Sequence, residues 1–197
     1  MSIMEELNLA GCCGLYCGLC PRFQSTALGR CLGCKVLCLT FSCKIYNCCV
    51  KQRGLATCAE CDDFPCEKNN PEAHQYEYFV TNRVCISNLY RIKEVGLEAW
   101  LEEQRERRLM LENLLARYNE GRSMSFYCLA MALMPLELID KAVGELKERL
   151  ISNQIDSADI KAKAKALRAI IQGLAQECGI ELKLRKKVLN YHPDPES

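Results

Sequence analysis

Histidine is almost absent from this chain, with two among 197 residues, and imidazole is the side chain best matched to proton transfer near neutral pH. No constellation of serine, histidine and acid can be assembled, so hydrolase chemistry ranks low and the reading leans away from an enzyme without settling it. Long apolar runs are missing as well. Nowhere do about twenty apolar residues follow one another, which removes a membrane-spanning helix from the reading. Glu5 and Glu6 come directly after the first four residues, with neither a basic leader nor an apolar stretch of signal-peptide length. A cytoplasmic protein with reduced thiols is the expectation. A charge excess of one sign is lacking too: the net charge is +1, which gives no general attraction to a phosphate backbone, so no nucleic-acid partner is expected. The local basic group Lys183, Arg185, Lys186 and Lys187 stands beside an alternation of Ile180, Leu182 and Leu184. It reads as the solvated side of a short extended segment.

What is present is cysteine. Thirteen of the sixteen lie between Cys12 and Cys66, a density that means bound thiols rather than small buried hydrophobes. A disulfide frame belongs to secreted domains, and an odd count of thirteen does not close one. The spacing favours a metal instead. Cys17-Gly-Leu-Cys20, Cys31-Leu-Gly-Cys34 and Cys58-Ala-Glu-Cys61 are three C-x2-C pairs, and two intervening residues let a tight turn aim both sulfurs at one cation. Gly18 and Gly33 supply the backbone freedom such turns need. Cys12, Cys13, Cys38, Cys43, Cys48, Cys49 and Cys66 complete the set. A tetrahedral site takes four ligands, so the thiols suffice for two or three sites. The candidate ligands are Cys13, Cys17, Cys20, Cys31, Cys34, Cys43, Cys48, Cys58, Cys61 and Cys66. Adjacent side chains diverge, so only one of Cys12-Cys13 and one of Cys48-Cys49 is expected to ligate a given ion. His74 is read as a solvent-facing helix residue rather than a ligand.

Paired C-x2-C knuckles with intervening loops favour structural zinc, supporting an interaction module for a protein partner. The alternative is an iron–sulfur cluster that carries electrons to a redox partner. Cys13-x3-Cys17-x2-Cys20-Pro21 has the tight triple form and trailing proline of bacterial ferredoxins. Charge does not separate the two, because four thiolates leave either centre near −2, and Lys35, Lys44, Lys51 and Arg53 would offset that equally. The same triple has the spacing used by radical S-adenosylmethionine enzymes. Leu19 replaces their aromatic residue, however, and residues 70–197 cannot supply their barrel.

The order of motifs resembles the cysteine-rich prokaryotic family called domain of unknown function 3795. The matching residues are Cys13-Gly14-x2-Cys17-x2-Cys20-Pro21, Cys31-x-Gly33-Cys34, Cys43-x-Ile45-x2-Cys48 and Cys58-x2-Cys61-x2-Phe64-Pro65-Cys66. Asn88-Leu89-x-Arg91-Ile92, Gly96-Leu97-Glu98-x-Trp100-Leu101-x2-Gln104 and Tyr118-Asn119-x-Gly121-Arg122-Ser123 with Phe126-Tyr127-Cys128 resemble its helical continuation. The resemblance covers about residues 10 to 135 and implies metal binding without an established activity. Cys12, Cys38 and Cys49 lie outside its pattern.

From Pro71 the chain turns to Leu, Ala, Glu, Lys and Arg with helical spacing. The fold class predicted is mainly α, an irregular metal-stabilised module of residues 1–68 packed on a helical domain of residues 69–197. Asn70-Pro71-Glu72 predicts a helix start, running to about Glu94 with Gly96 at its end. A second helix covers Leu97 to Tyr118, its charged middle from Glu102 to Arg108 exposed. Asn119-Glu120-Gly121 breaks it, and Ser123 caps a third helix through Met134. Pro135 opens a fourth, with a stripe of Ile139, Val143, Leu146 and Leu150. Asp156 or Ser157 caps a fifth, striped by Ile160, Ala164, Leu167, Ile171, Leu174 and Cys178. Cys85, Cys128 and Cys178 read as inert buried thiols.

Overall fold

The computed structural model describes residues 3–36, 43–69, 77 and 81–185. Among them are eight α-helices and no β-strand: α1 Ile3–Leu9, α2 Pro21–Gln24, α3 Lys44–Tyr46, α4 Cys85–Val95, α5 Leu97–Tyr118, α6 Met124–Leu133, α7 Leu136–Ile151 and α8 Ile160–Glu177. The fold is mainly helical, as the composition predicts. Cys38 and His74 lie outside the described residues, as does the proposed helix start at Asn70-Pro71-Glu72.

The 22-residue α5 is the central beam. It packs against α1, α4, α6, α8 and the 3-10 turn Cys17–Leu19. Trp100, Leu101, Leu111 and Leu114 are buried along it, and each such side chain contributes roughly 1.5–3 kcal/mol relative to exposure. Gly96, at φ +87°, turns the chain from α4 into α5. The charged middle of α5 departs from expectation: Gln104 and Arg108 are each only 6% exposed. The physical reason is a partner on another element. Glu6 of α1 receives Arg108 Nη2 at 2.7 Å and the Tyr16 hydroxyl at 2.6 Å, while Arg108 Nη1 reaches Glu112 at 2.6 Å.

Helix α7 lies along α8. Ile139, Ala142 and Leu146 of α7 meet Ala164, Leu167 and Ile171 of α8, and all six are fully buried. Val143 and Leu150 are half-buried. The cap of α8 is Asp159 rather than Asp156 or Ser157; its Oδ1 accepts from the Lys161 and Ala162 amides at 2.8 and 3.0 Å. Asp156 instead accepts from the Ala158 amide in the preceding turn. Ser123 holds the N-cap position of α6 without a side-chain capping bond.

At the far end of α8, Gly179 adopts φ +66°. The Gly179 amide donates to Gln176 and the Ile180 amide to Ala175, the Schellman closure of a helix end. Cys178 is therefore the C-cap residue and is exposed, a correction to its reading as a buried thiol at the end of the stripe. Cys85 and Cys128 are buried as predicted.

The first long helix of the second half also starts later than its spacing predicts. Residues 81–84 are not helical, and α4 opens at Cys85. Glu77 competes for the chain: its carboxylate accepts from the Thr81 hydroxyl and from the Asn82 and Arg185 amides. Arg83 reinforces that junction by donating to the carbonyls of Glu181 and Lys183. Around it, Leu182 is buried while Lys183 and Arg185 are exposed, as the alternation predicts.

One apolar core runs through both halves. Leu9, Tyr16, Leu19 and Phe64 belong to the same buried cluster as Leu89, Trp100, Leu111 and Leu167. Tyr16 meets Trp100 edge-on at 6.0 Å, and Phe64 meets Tyr90 at 5.1 Å.

Candidate metal centre

Two of the three C-x2-C segments fold as tight turns, while Cys31–Cys34 is irregular. Cys17–Leu19 and Cys58–Glu60 are 3-10 turns, in which the Cys20 and Cys61 amides donate back to the Cys17 and Cys58 carbonyls at 3.0 and 3.2 Å. Gly33 takes φ +102° where an added Cβ would stand 3.1 Å from the Asn8 carbonyl oxygen, seating its knuckle on the end of α1. Gly18 does not adopt the left-handed region; it is required because a Cβ there would stand 2.4 Å from the Tyr16 ring. Gly14 also stands at positive φ, +87°.

The residues between Gly11 and Leu15 decide how the thiols divide. An isolated bridge pairs Ala10 with Tyr16, and the Gly11 amide donates to Leu15 at 2.7 Å. Cys12, Cys13 and Gly14 form the tip of this small loop. The two adjacent cysteines leave it in different directions, as expected for neighbours in sequence. Cys12 joins Cys49 and Cys58, and its carbonyl accepts from the Cys58 amide at 2.9 Å. Cys13 joins Cys85 and lies close to Cys17 and Cys34.

In the group around Cys13, the thiols of Cys17 and Cys34 hydrogen-bond each other, and the Cys34 amide also donates to Cys17 Sγ at 3.4 Å. The Cys17 thiol donates, which raises its pKa and holds the Cys34 thiolate low, at about 7. Cys13 is likewise lowered, first by the Cys85 thiol and then, against the cost of burial, by the Leu15 amide. Cys20 is pushed up by burial and senses the charges of Cys31 and Cys34. Pairing thus crosses from one knuckle to the next.

In the second group, Cys49 accepts from both Cys12 and Cys58. Those two donated bonds lower it, with help from the positive charges of Lys35 and Arg53. A cavity of about 260 Å³ beside it is lined by Cys48, Cys49, Cys58, Cys61 and Cys66. Cys48 and Cys49 diverge as Cys12 and Cys13 do: Cys49 is buried toward Cys12, whereas Cys48 accepts from Lys68 Nζ at 3.3 Å. Arg53 donates to Cys61 Sγ at 3.0 Å and pairs with Asp63.

Of the ten candidate ligands, Cys13, Cys17, Cys20, Cys31 and Cys34 interact with one another, and Cys48, Cys58, Cys61 and Cys66 line one cavity, with Cys58 also sensing Cys13. Cys43 joins neither; its sulfur accepts from the Tyr46 amide at the start of α3. Sequence spacing missed Cys85, which is 72 positions from Cys13 and looks like an ordinary helical thiol. It also left Cys12 and Cys49 without a role. The fifteen described cysteines are free thiols. Their donor chemistry suits zinc or an iron–sulfur cluster; among the described residues no three His, Cys, Asp or Glu side chains meet in a geometry that holds an ion. No described helix is long and apolar enough to cross a membrane. Comparison with protein-family models, curated proteins and solved structures returns no match for this chain.

Proposed function

We propose that this is a cytoplasmic metal-binding protein whose cysteines form two adjacent thiolate centres, with structural zinc fixing an irregular module on a helical body for contact with a protein partner. The observation that carries the reading is that the adjacent Cys12 and Cys13 of one loop take different thiol partners, Cys12 pairing with Cys49 and Cys13 with Cys85. Two sets of four or more thiols are then available, enough for two tetrahedral sites. Cys13, Cys17, Cys34 and Cys85, with Cys20 and Cys31 beside them, would hold the first. Cys49, Cys58, Cys61 and Cys66, with Cys12 and Cys48, would hold the second. Zinc bound to four thiolates supplies structure rather than chemistry, because it neither changes oxidation state nor keeps an open position. Lys35 and Arg53 offset the charge of the second group.

An iron–sulfur protein acting in electron transfer is the second reading. It draws on Cys13-x3-Cys17-x2-Cys20-Pro21 and on the N–H donors of Arg53 and Lys68 at Cys61 and Cys48, since hydrogen bonds to cluster sulfurs tune potential. Purification without oxygen, followed by metal and sulfide analysis and visible spectroscopy, separates the two. Two or three zinc ions per chain and a colourless sample unchanged by dithionite support zinc. A brown sample with iron and acid-labile sulfide replaces that reading with electron transfer. A folded protein without stoichiometric metal sinks both.

A further inference from the structure

Helix α8 carries cations without the carboxylates that accompany them on the other long helices. Lys161, Lys163, Lys165 and Arg168 are its charged residues from Ile160 to Gln176, with no acid among them. Lys161 and Lys165 are four positions apart and Lys165 and Arg168 three, so like charges stand as neighbours on one face, an arrangement that destabilises a helix. They also crowd the N-terminal half, where the macrodipole disfavours cations. By contrast, Arg91, Arg105, Arg108 and Arg149, on α4, α5 and α7, each meet a carboxylate three or four positions away.

Lys161, Lys165 and Arg168 form one wall of a groove of about 660 Å³, completed by Phe126 of α6 and by Glu120 and Arg122 of the turn before it. No cysteine lines it, so it stands apart from both thiol groups, and its volume falls within the range of small-molecule pockets, roughly 300–1,000 Å³. All four cations are exposed. Arg168 lies over the Phe126 ring, 5.3 Å from its centre, and a stacked guanidinium keeps its in-plane N–H groups for other acceptors. Glu120 is the one carboxylate lining the groove among the described residues, and it senses Arg168 and Arg122. Four cations therefore face one acid, and an anion seated between them would relieve the repulsion along α8.

We propose that this groove binds a small molecule carrying two or more linked phosphate groups. Ammonium and guanidinium groups form charge-assisted hydrogen bonds with such oxyanions. At 1.5 Å of rise per residue, Lys161 and Arg168 are about 10 Å apart along the helix, a span that a single phosphate does not bridge and a short phosphate chain does. Lys161 and Lys165 engage one end of that chain, and Arg168 and Arg122 the other. A nucleic-acid strand fits less well, because the net charge of the whole chain is only +1 and supplies no wider field for a long phosphate backbone.

Calorimetric titration of the full-length protein at low ionic strength, with inorganic tripolyphosphate as the probe, should show saturable binding of one anion per chain. Orthophosphate should bind about tenfold or more weakly, the equivalent of one lost charge-assisted hydrogen bond. Lys165→Gln, an exposed change at the centre of the stripe, should weaken tripolyphosphate by about as much, and without ligand it should melt no lower than the parent protein, since it removes a like-charge neighbour. Lys147→Gln, an exposed change on α7 outside the groove, should leave the affinity unaltered. Chelation of zinc by the probe would give heat that Lys165→Gln does not change, so equal binding by that variant overturns the proposal. Absence of saturable binding, orthophosphate binding as tightly as tripolyphosphate, or an equal loss in Lys147→Gln does the same. A single-stranded oligonucleotide that binds more tightly than tripolyphosphate would replace the small anion with nucleic acid.

Discussion

Arg108 reaches Glu6 across 102 positions of sequence, with Nη2 2.7 Å from Oε1 and both residues 6% exposed. The pair ties the first helix to the middle of the longest one, and the Tyr16 hydroxyl completes it from the cysteine-rich loop. Removing one partner leaves the other charge buried. Arg108→Met should therefore lower unfolding free energy by about 3–5 kcal/mol, and adding Glu6→Met should restore part of that loss. Urea denaturation of both variants checks this; a loss below about 1 kcal/mol in the single variant would count against a structural role for the pair.

Gly14 sets the approach of the Cys12–Cys13 loop to α4. Its φ is +87°, and an added Cβ would stand 2.1 Å from the Cys85 carbonyl oxygen. The left-handed conformation alone costs a non-glycine residue about 1–3 kcal/mol, and the overlap adds to it. Gly14→Ala should be clearly more destabilising than Gly54→Ala, where φ is +68° but the space is open. Equal midpoints in parallel thermal melts would refute the claim that the loop is docked this closely.

On the metal-binding reading, the thiol groups predict which replacements matter. Cys12→Ser and Cys85→Ser should lower bound metal, because a hydroxyl is a poor substitute for a soft thiolate. Cys128→Ser, in the helical core, and Cys178→Ser, on the surface, should retain it. Elemental analysis of anaerobically prepared protein decides. Full metal content in Cys85→Ser would return that thiol to a packing role.

Glu77 links the segment before α4 to the end of the described chain. Burial raises its pKa, but the Thr81 hydroxyl, the Arg185 and Asn82 amides and the Arg83 charge outweigh burial and hold it below the ordinary value. A carboxylate with a depressed folded pKa contributes stability in full above its unfolded pKa and loses it as pH falls through the folded value. Stability should thus fall on acidification below about pH 5, and Glu77→Gln should be less stable at neutral pH with a flatter acid limb. An unchanged pH profile in the variant would remove Glu77 from this account.

Much of the helical half was legible along the chain. Leu97–Tyr118 is bounded by Gly96 and by Asn119-Glu120-Gly121, and these are local signals, since glycine reaches positive φ without steric cost. The α7 and α8 stripes were readable because 3.6-residue periodicity survives any packing that buries one face. The burial of α5 at Arg108 was not, because a charged run looks solvated until its partner is known, and Glu6 is remote in sequence. The cap at Asp159 was missed because Asp156, Ser157 and Asp159 are closely spaced capping candidates, which only the backbone path separates.

The sequence by itself determined that cysteine is the dominant chemistry, that the Cys17–Cys20 and Cys58–Cys61 segments make tight turns, and that adjacent cysteines part company, since all three depend on contacts within a few residues. Only the tertiary structure decided which thiols meet. Cys17 faces Cys34, Cys12 faces Cys49 and Cys58, and Cys13 faces Cys85, because the Gly11–Leu15 loop, the knuckle on α1 and the start of α4 are brought together by one shared core. Sulfur neighbours are set by where that core seats each turn, and spacing along the chain carries no record of it.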